Sequence, residues 1–238
     1  MARIGRIVSS VLLVLFLAAC EPVDLRMYIE QLSESDVTVY VSETTGNDAN
    51  LGDMSAPMKT IQAGIVKAAS FISDGLTDLV MVKIAEGTYE VTDGTENTTE
   101  YTEGDYIAMA EGVSLYGGYS TDFSERDPDQ YISLIVDISE EVVNSSAVRA
   151  YDGLTDATVI DGFTIQGVES TSITNSSALD IQRASPRVSN NIILGGYGAV
   201  SGVSFALDIM ENSSPIVEYN TIIGGESSGN TIGIFNTN

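Results

Sequence analysis

The chain has no histidine and no tryptophan among its 238 residues, and only one cysteine. Without histidine, Ser-His-Asp and Cys-His catalysis are excluded, along with the commonest metal ligand. A single cysteine cannot close a disulfide within the chain, so stability has to come from packing. Positive charge is also scarce. Ten Lys and Arg stand against 34 Asp and Glu, a net charge of −24. Such a surface repels polyphosphate and anionic headgroups, which argues against nucleic acid as a partner. There is no phosphate loop, and no glycine cluster lies between a strand and a helix as dinucleotide binding requires. Any chemistry must rest on carboxylates, Arg, Lys or Tyr.

The first residues read as a targeting segment. Arg3 and Arg6 form a charged start, and Ile7 to Phe16 is apolar apart from Ser9 and Ser10. That run is too short and too early for an ordinary membrane span. It ends in Leu17-Ala18-Ala19-Cys20, which resembles the bacterial lipobox. The resemblance implies cleavage before Cys20 and lipid attachment at Cys20. Acyl chains would then anchor the chain through buried CH₂ groups, with no need of a basic patch. The expected organisation is a lipoprotein signal peptide over 1–19 and a tether over 20–36. A strand and capping helix follow over 37–75, then a repeat domain over 76–238. The expected location is the bacterial cell envelope, with the anchor in the outer membrane.

The strongest pattern is a repeat. Ser185-Pro186-Arg187-Val188-Ser189-Asn190-Asn191-Ile192-Ile193-Leu194-Gly195-Gly196 returns 29 residues later as Ser214-Pro215-Ile216-Val217-Glu218-Tyr219-Asn220-Thr221-Ile222-Ile223-Gly224-Gly225. Ala178-Leu179-Asp180-Ile181 returns after 28 residues as Ala206-Leu207-Asp208-Ile209. One coil earlier, Ile160, Ile165 and Gly167 take the places of Val188, Ile193 and Gly195. Short β-type runs with glycine turns at this period predict a solenoid, each coil burying its apolar face on its neighbours. A coil of 28 or 29 residues holds about three strands. The expected fold is all-β: a right-handed, single-stranded parallel β-helix with three strands per coil and a short N-terminal capping helix. That helix shows as Ile61, Ile65, Ala68, Ala69 and Ile72 on one face, stopping near Ser73-Asp74-Gly75. The chain ends at Asn238 inside a coil, so truncation, a covering partner or a frayed last coil is expected there.

Val39-Tyr40-Val41-Ser42, Gly46-Asn47-Asp48, Gly52, Pro57-Met58-Lys59-Thr60-Ile61-Gln62 and Ala68-Ala69 resemble the opening signature of DUF1565. This is a branch of bacterial extracytoplasmic proteins within the pectin-lyase-like superfamily. Leu115-Tyr116-Gly117-Gly118-Tyr119 with Phe123, Arg126 and Asp127 is similar to a motif of bacterial surface proteins of this type. The resemblance implies a parallel β-helix, with the amphipathic helix closing its open end. It carries little about function.

Candidate sites come from the repeat itself. Asp152, Asp180 and Asp208 are spaced by 28, and Asn236 follows after another 28. Leu179, Ile181, Leu207 and Ile209 should face inward and Asp180 and Asp208 outward, about 4.8 Å apart along the stack. Three readings stay open. The aspartates are solvated outer-face residues, or Asp152, Asp180 and Asp208 bind Ca²⁺, or Asp180 and Asp208 are catalytic with Arg183 beside them. Carboxylates at roughly this spacing suit retaining glycoside hydrolysis. Arg187 also lies nearby. Asn191 and Asn220 share one turn position and predict an internal amide ladder. Asp48, Asn50 and Asp53 lack the glycine and terminal glutamate of an EF-hand and read as a turn. The acidic stretch Thr92 to Asp105 reads as a solvated insertion. The first functional expectation is a lipid-anchored, non-catalytic β-helix protein that binds carbohydrate or another protein. The alternative is a polysaccharide lyase or glycoside hydrolase acting on acidic polysaccharide. No organic cofactor is expected.

Overall fold

The structure is a computed structural model that describes residues 37–92, 106–139, 144–168, 175–196, 202–226 and 230–237. The signal segment, Cys20 and the tether lie outside the described residues, as does most of the Thr92–Asp105 insertion. Strand β1 (Val37–Val41) leads to helix α1 (Ile61–Ser73). The strands then come in threes: β2 (Val80–Ala85), β3 (Gly87–Val91) and β4 (Ile107–Ala108); β5 (Val113–Tyr119), β6 (Ser133–Asp137) and β7 (Asn144–Tyr151). The next three are β8 (Val159–Asp161), β9 (Thr164–Gln166) and β10 (Asn175–Gln182). They are followed by β11 (Arg187–Ser189), β12 (Ile192–Leu194) and β13 (Val203–Met210), then β14 (Ile216–Glu218), β15 (Thr221–Ile223) and β16 (Asn230–Thr237).

Each set of three gives one strand to each of three parallel sheets, ordered β1-β2-β5-β8-β11-β14, β3-β6-β9-β12-β15 and β4-β7-β10-β13-β16. This is a parallel β-helix with three strands per coil. Inward residues stack in rows. Val39, Val82, Leu115, Ile160 and Val188 form one such row, with Val217 next in register. Ile135, Ile165, Ile193 and Ile222 form another. The first five of one row and the first three of the other are buried, and Val217 and Ile222 are half-buried. Each fully buried aliphatic side chain contributes about 1.5–3 kcal/mol, so long rows of them replace the missing disulfides.

Helix α1 packs across the N-terminal end of the stack. Thr60 caps it by accepting a hydrogen bond from Ala63 N at 3.2 Å, and Ile61, Gly64, Ile65 and Ala68 are buried. Gly64 allows the close approach: a Cβ there would lie 2.6 Å from Val41 Cγ2. The Gly46–Asp53 cluster is a turn, as its composition predicts. Asp48 accepts from the Lys59 and Thr60 amides, Asn50 donates to Pro57 O, and Asp53 accepts from Ser55 and Ala56.

Two polar devices hold the turns. The amide ladder is present: Asn191 Oδ1 accepts from Phe163 N at 2.9 Å, Asn191 Nδ2 donates to Ile160 O and Asn220 Oδ1, and Asn220 Nδ2 donates to Val188 O. The Tyr116-Gly117-Gly118-Tyr119 motif turns into a strap over the first sheet. From the strap, Arg126 donates to Gly117 O at 2.9 Å and pairs with the buried Asp161. Asp161 also accepts from Ser189 and Asn190, each at 2.6 Å. Phe123 packs edge-on against Tyr40, with ring centroids 5.0 Å apart. These residues therefore have a structural account within the strap.

Candidate functional site

The β4-β7-β10-β13-β16 sheet carries the most unusual outer surface. Its strands repeat Asn-Ser-Ser-Ala in β7 and β10 and Ala-Leu-Asp-Ile in β10 and β13. In β10, Ala178, Leu179 and Ile181 belong to the core. Asn175, Ser177, Asp180 and Gln182 instead line a groove of about 460 Å³. The same groove takes Asn144, Ser146, Arg149 and Tyr151 from β7, Phe205, Asp208 and Met210 from β13, and Phe235 from β16.

Strand pairing sets which groups meet. Asp180 is in register with Asp208, as the repeat predicts. On its other side Asp180 is in register with Arg149, and Asp208 with Phe235. One row therefore runs Arg149, Asp180, Asp208, Phe235 across four coils, and Asn236 pairs with Ile209 instead. Asp152 is not in this row. It occupies a left-handed turn (φ 52°) after β7 and accepts from Arg183 Nε at 2.6 Å. Arg183 also pairs with Glu211, which makes an exposed triad on the turns of three coils, away from the groove lining. Arg187 pairs with Glu218. The structure thus brings Asp180 and Asp208 together and separates both from Asp152, Arg183 and Arg187.

The outward aspartates are not solvated. Asp180 is 7% exposed and Asp208 is 5% exposed. The Tyr151 hydroxyl donates to Asp180 Oδ2. The Oδ1 atoms of both carboxylates are buried and have no protein hydrogen-bond partner. Burial, then the neighbouring Asp180 charge, pushes the Asp208 carboxyl up to about 6. Burial raises Asp180 as well, against the lowering influence of Tyr151 and Arg149. Burial and the Asp180 charge raise the Tyr151 hydroxyl. Arg149 stacks on the Tyr106 ring at 4.0 Å, and the Phe205 and Phe235 ring centroids are 5.2 Å apart.

Chemically, the groove offers a carboxyl with raised proton affinity at Asp208, a second carboxyl hydrogen-bonded to Tyr151, a guanidinium, amides and two aromatic rings. Among the described residues no group of three or more His, Cys, Asp or Glu gathers as a metal site. Two carboxylates alone supply few of the six to eight oxygens that Ca²⁺ takes. Sequence reasoning missed Arg149, Tyr151 and the phenylalanines. A signal was present, because Asn144-Ser145-Ser146-Ala147 returns as Asn175-Ser176-Ser177-Ala178 after 31 residues rather than 28.

A family model described as "Protein of unknown function (DUF1565)" matches residues 44–238, so the chain belongs to that family. No curated protein and no solved structure matches the chain.

Proposed function

We propose that this DUF1565 β-helix is a lipid-anchored envelope protein whose β4-β7-β10-β13-β16 groove binds a carbohydrate chain without transforming it. The observation that supports binding is the groove itself, in which amides, hydroxyls and carboxylates surround a pair of aromatic rings on a rigid sheet. Such a mixture suits sugars, which present hydroxyls at their edges and C–H groups on their faces. Ligand sites of this size are concave, with a few polar groups fixing orientation. Binding should show in calorimetry against a glycan panel and weaken in Phe235→Ala. Absence of heat with every glycan would end this reading. Anchoring rests on Leu17-Ala18-Ala19-Cys20. Cys20→Ser should move the protein from the membrane to the soluble fraction, and retention in the membrane would refute the anchor.

A second reading, glycoside hydrolysis, is favoured by one observation. Asp208 is pushed up to about 6 beside an in-register Asp180, and a general acid needs a carboxyl that keeps its proton near working pH. A lyase reading draws less support, because Arg183 and Arg187 are committed to carboxylates outside the groove. Release of reducing ends from a glycan, lost in both Asp180→Asn and Asp208→Asn, would establish hydrolysis over binding.

A further inference from the structure

The geometry points to an amino sugar as the ligand of this groove: a glycan whose free amine is held by Asp180 and Asp208 against the Phe205–Phe235 ring pair. The inference rests on the carbohydrate reading above and adds a chemical class to it. Its basis is the distribution of charge along the row. Arg149 flanks Asp180 on the β7 side, and Tyr151 from the same strand donates to Asp180 Oδ2. On the β16 side the neighbour of Asp208 is Phe235, which brings no charge. Negative charge is therefore balanced at one end of the row and left unbalanced at the other.

The unbalanced end has the features of an ammonium site. The buried Oδ1 of Asp208 lacks a protein partner there, and so does that of Asp180 one coil back. Leaving such acceptors unmade costs about 1–3 kcal/mol each, and more when charged, so a donor that reaches them is strongly favoured. An amine supplies up to three N–H donors and a positive charge. Phe205 and Phe235 lie beside the same end, and a cation near an aromatic face gains about 0.5–2 kcal/mol. The raised Asp208 carboxyl fits this arrangement, since a bound ammonium would take over the role of its proton. The titratable groups acting on the pair are the Arg149 guanidinium and the neutral Tyr151 hydroxyl from β7, and Glu211 after β13, whose charge is already paired with Arg183. Arg149 disfavours a cation at Asp180 and leaves Asp208 as the preferred contact.

The rest of the lining argues for a sugar over a lysine side chain. Asn144, Asn175, Ser177 and Gln182 spread amides and a hydroxyl along the groove. A thin aliphatic stem would leave those groups unused, whereas pyranose hydroxyls would engage them. An acidic polysaccharide is disfavoured by the same carboxylates.

The test is calorimetry with four tetrasaccharide or peptide probes: glucosamine tetrasaccharide, its N-acetylated form, cellotetraose and tetralysine. At about pH 7 the glucosamine probe should bind at least about tenfold more tightly than the other three. Asp208→Asn should erase that preference, with melting checked to confirm folding. Phe235→Leu should reduce the preference by an independent route. Equal affinity for glucosamine and neutral sugars would overturn the amine assignment and leave carbohydrate binding standing. Tetralysine binding as tightly as the amino sugar would overturn the sugar class. Silence with all three glycans would remove the carbohydrate reading and this inference together.

Discussion

Asn191→Ala tests whether the amide ladder holds the turns of the solenoid. Asn191 is 1% exposed and lies between two coils. Its Oδ1 accepts from Phe163 N at 2.9 Å, and its Nδ2 donates to Ile160 O at 2.9 Å and Asn220 Oδ1 at 3.0 Å. Truncation strands the Phe163 amide in a dry interior, which costs about 1–3 kcal/mol. It also removes two further bonds, each with a net contribution of about 1 kcal/mol. The expected destabilisation is about 3–5 kcal/mol, near the upper end for a single substitution. Asn220 Oδ1 likewise accepts from Asn191 N at 2.9 Å, but Asn220 is half-buried and water can replace part of its bonding, so Asn220→Ala should cost less, about 1–3 kcal/mol. Urea unfolding followed by far-ultraviolet circular dichroism gives both values from the shift in midpoint at constant slope. A cost below about 1 kcal/mol for Asn191→Ala, or a reversed order of the two variants, would refute the ladder as a stabilising device.

Three further outcomes follow from other contacts. The Asp208 carboxyl, pushed up to about 6 in the folded chain, contributes stability that is full below the ordinary carboxylate pKa of about 3.9 and lost as pH rises through about 6. Melting of the wild type should therefore fall relative to Asp208→Asn across that window, and parallel curves would contradict the shift. Gly64→Ala should destabilise by about 1–2 kcal/mol, because overpacking against Val41 outweighs the helix propensity gained; a raised melting temperature would show that α1 shifts freely on the stack. Arg126→Ala should cost about 3–5 kcal/mol by leaving the buried Asp161 without its cation. Arg126→Lys should restore little of this, whereas Arg187→Ala, at an exposed pair, should cost below about 1 kcal/mol.

Much of the fold was legible because a stacked β-sheet copies its inward side chains from coil to coil. Ile160 over Val188, Ile165 over Ile193 and Asp180 over Asp208 all follow from the period of the sequence. The capping helix was legible from its apolar stripe. The misplacement of Asp152 has a local cause. Seven residues, Asp152 to Thr158, separate β7 from β8, and only Arg183 to Pro186 separate β10 from β11. The longer turn shifts the β7 register to 31 residues, so a fixed spacing of 28 selects Asp152 where Arg149 actually stands. The burial of Asp180 and Asp208 was not legible either. Their neighbours come from other coils, Tyr151 at Asp180 and Phe235 at Asp208, and no local pattern announces them.

The longer turn after β7 also makes the groove modular. The extra residues are absorbed between Leu154 and Thr158, while β8 and β9 return to a 28-residue offset from β11 and β12. Each coil can thus change length at a corner without displacing the face it presents. The row Arg149, Asp180, Asp208, Phe235 then behaves as a series of interchangeable teeth on a fixed comb, one tooth per coil. Transplanting the β10 octapeptide Asn175–Gln182 into the β7 position would exchange Arg149 for a third carboxylate and Tyr151 for an amide on an otherwise unaltered backbone. Ligand charge could be retuned in this way one coil at a time, and related chains could diverge in ligand while conserving every inward residue.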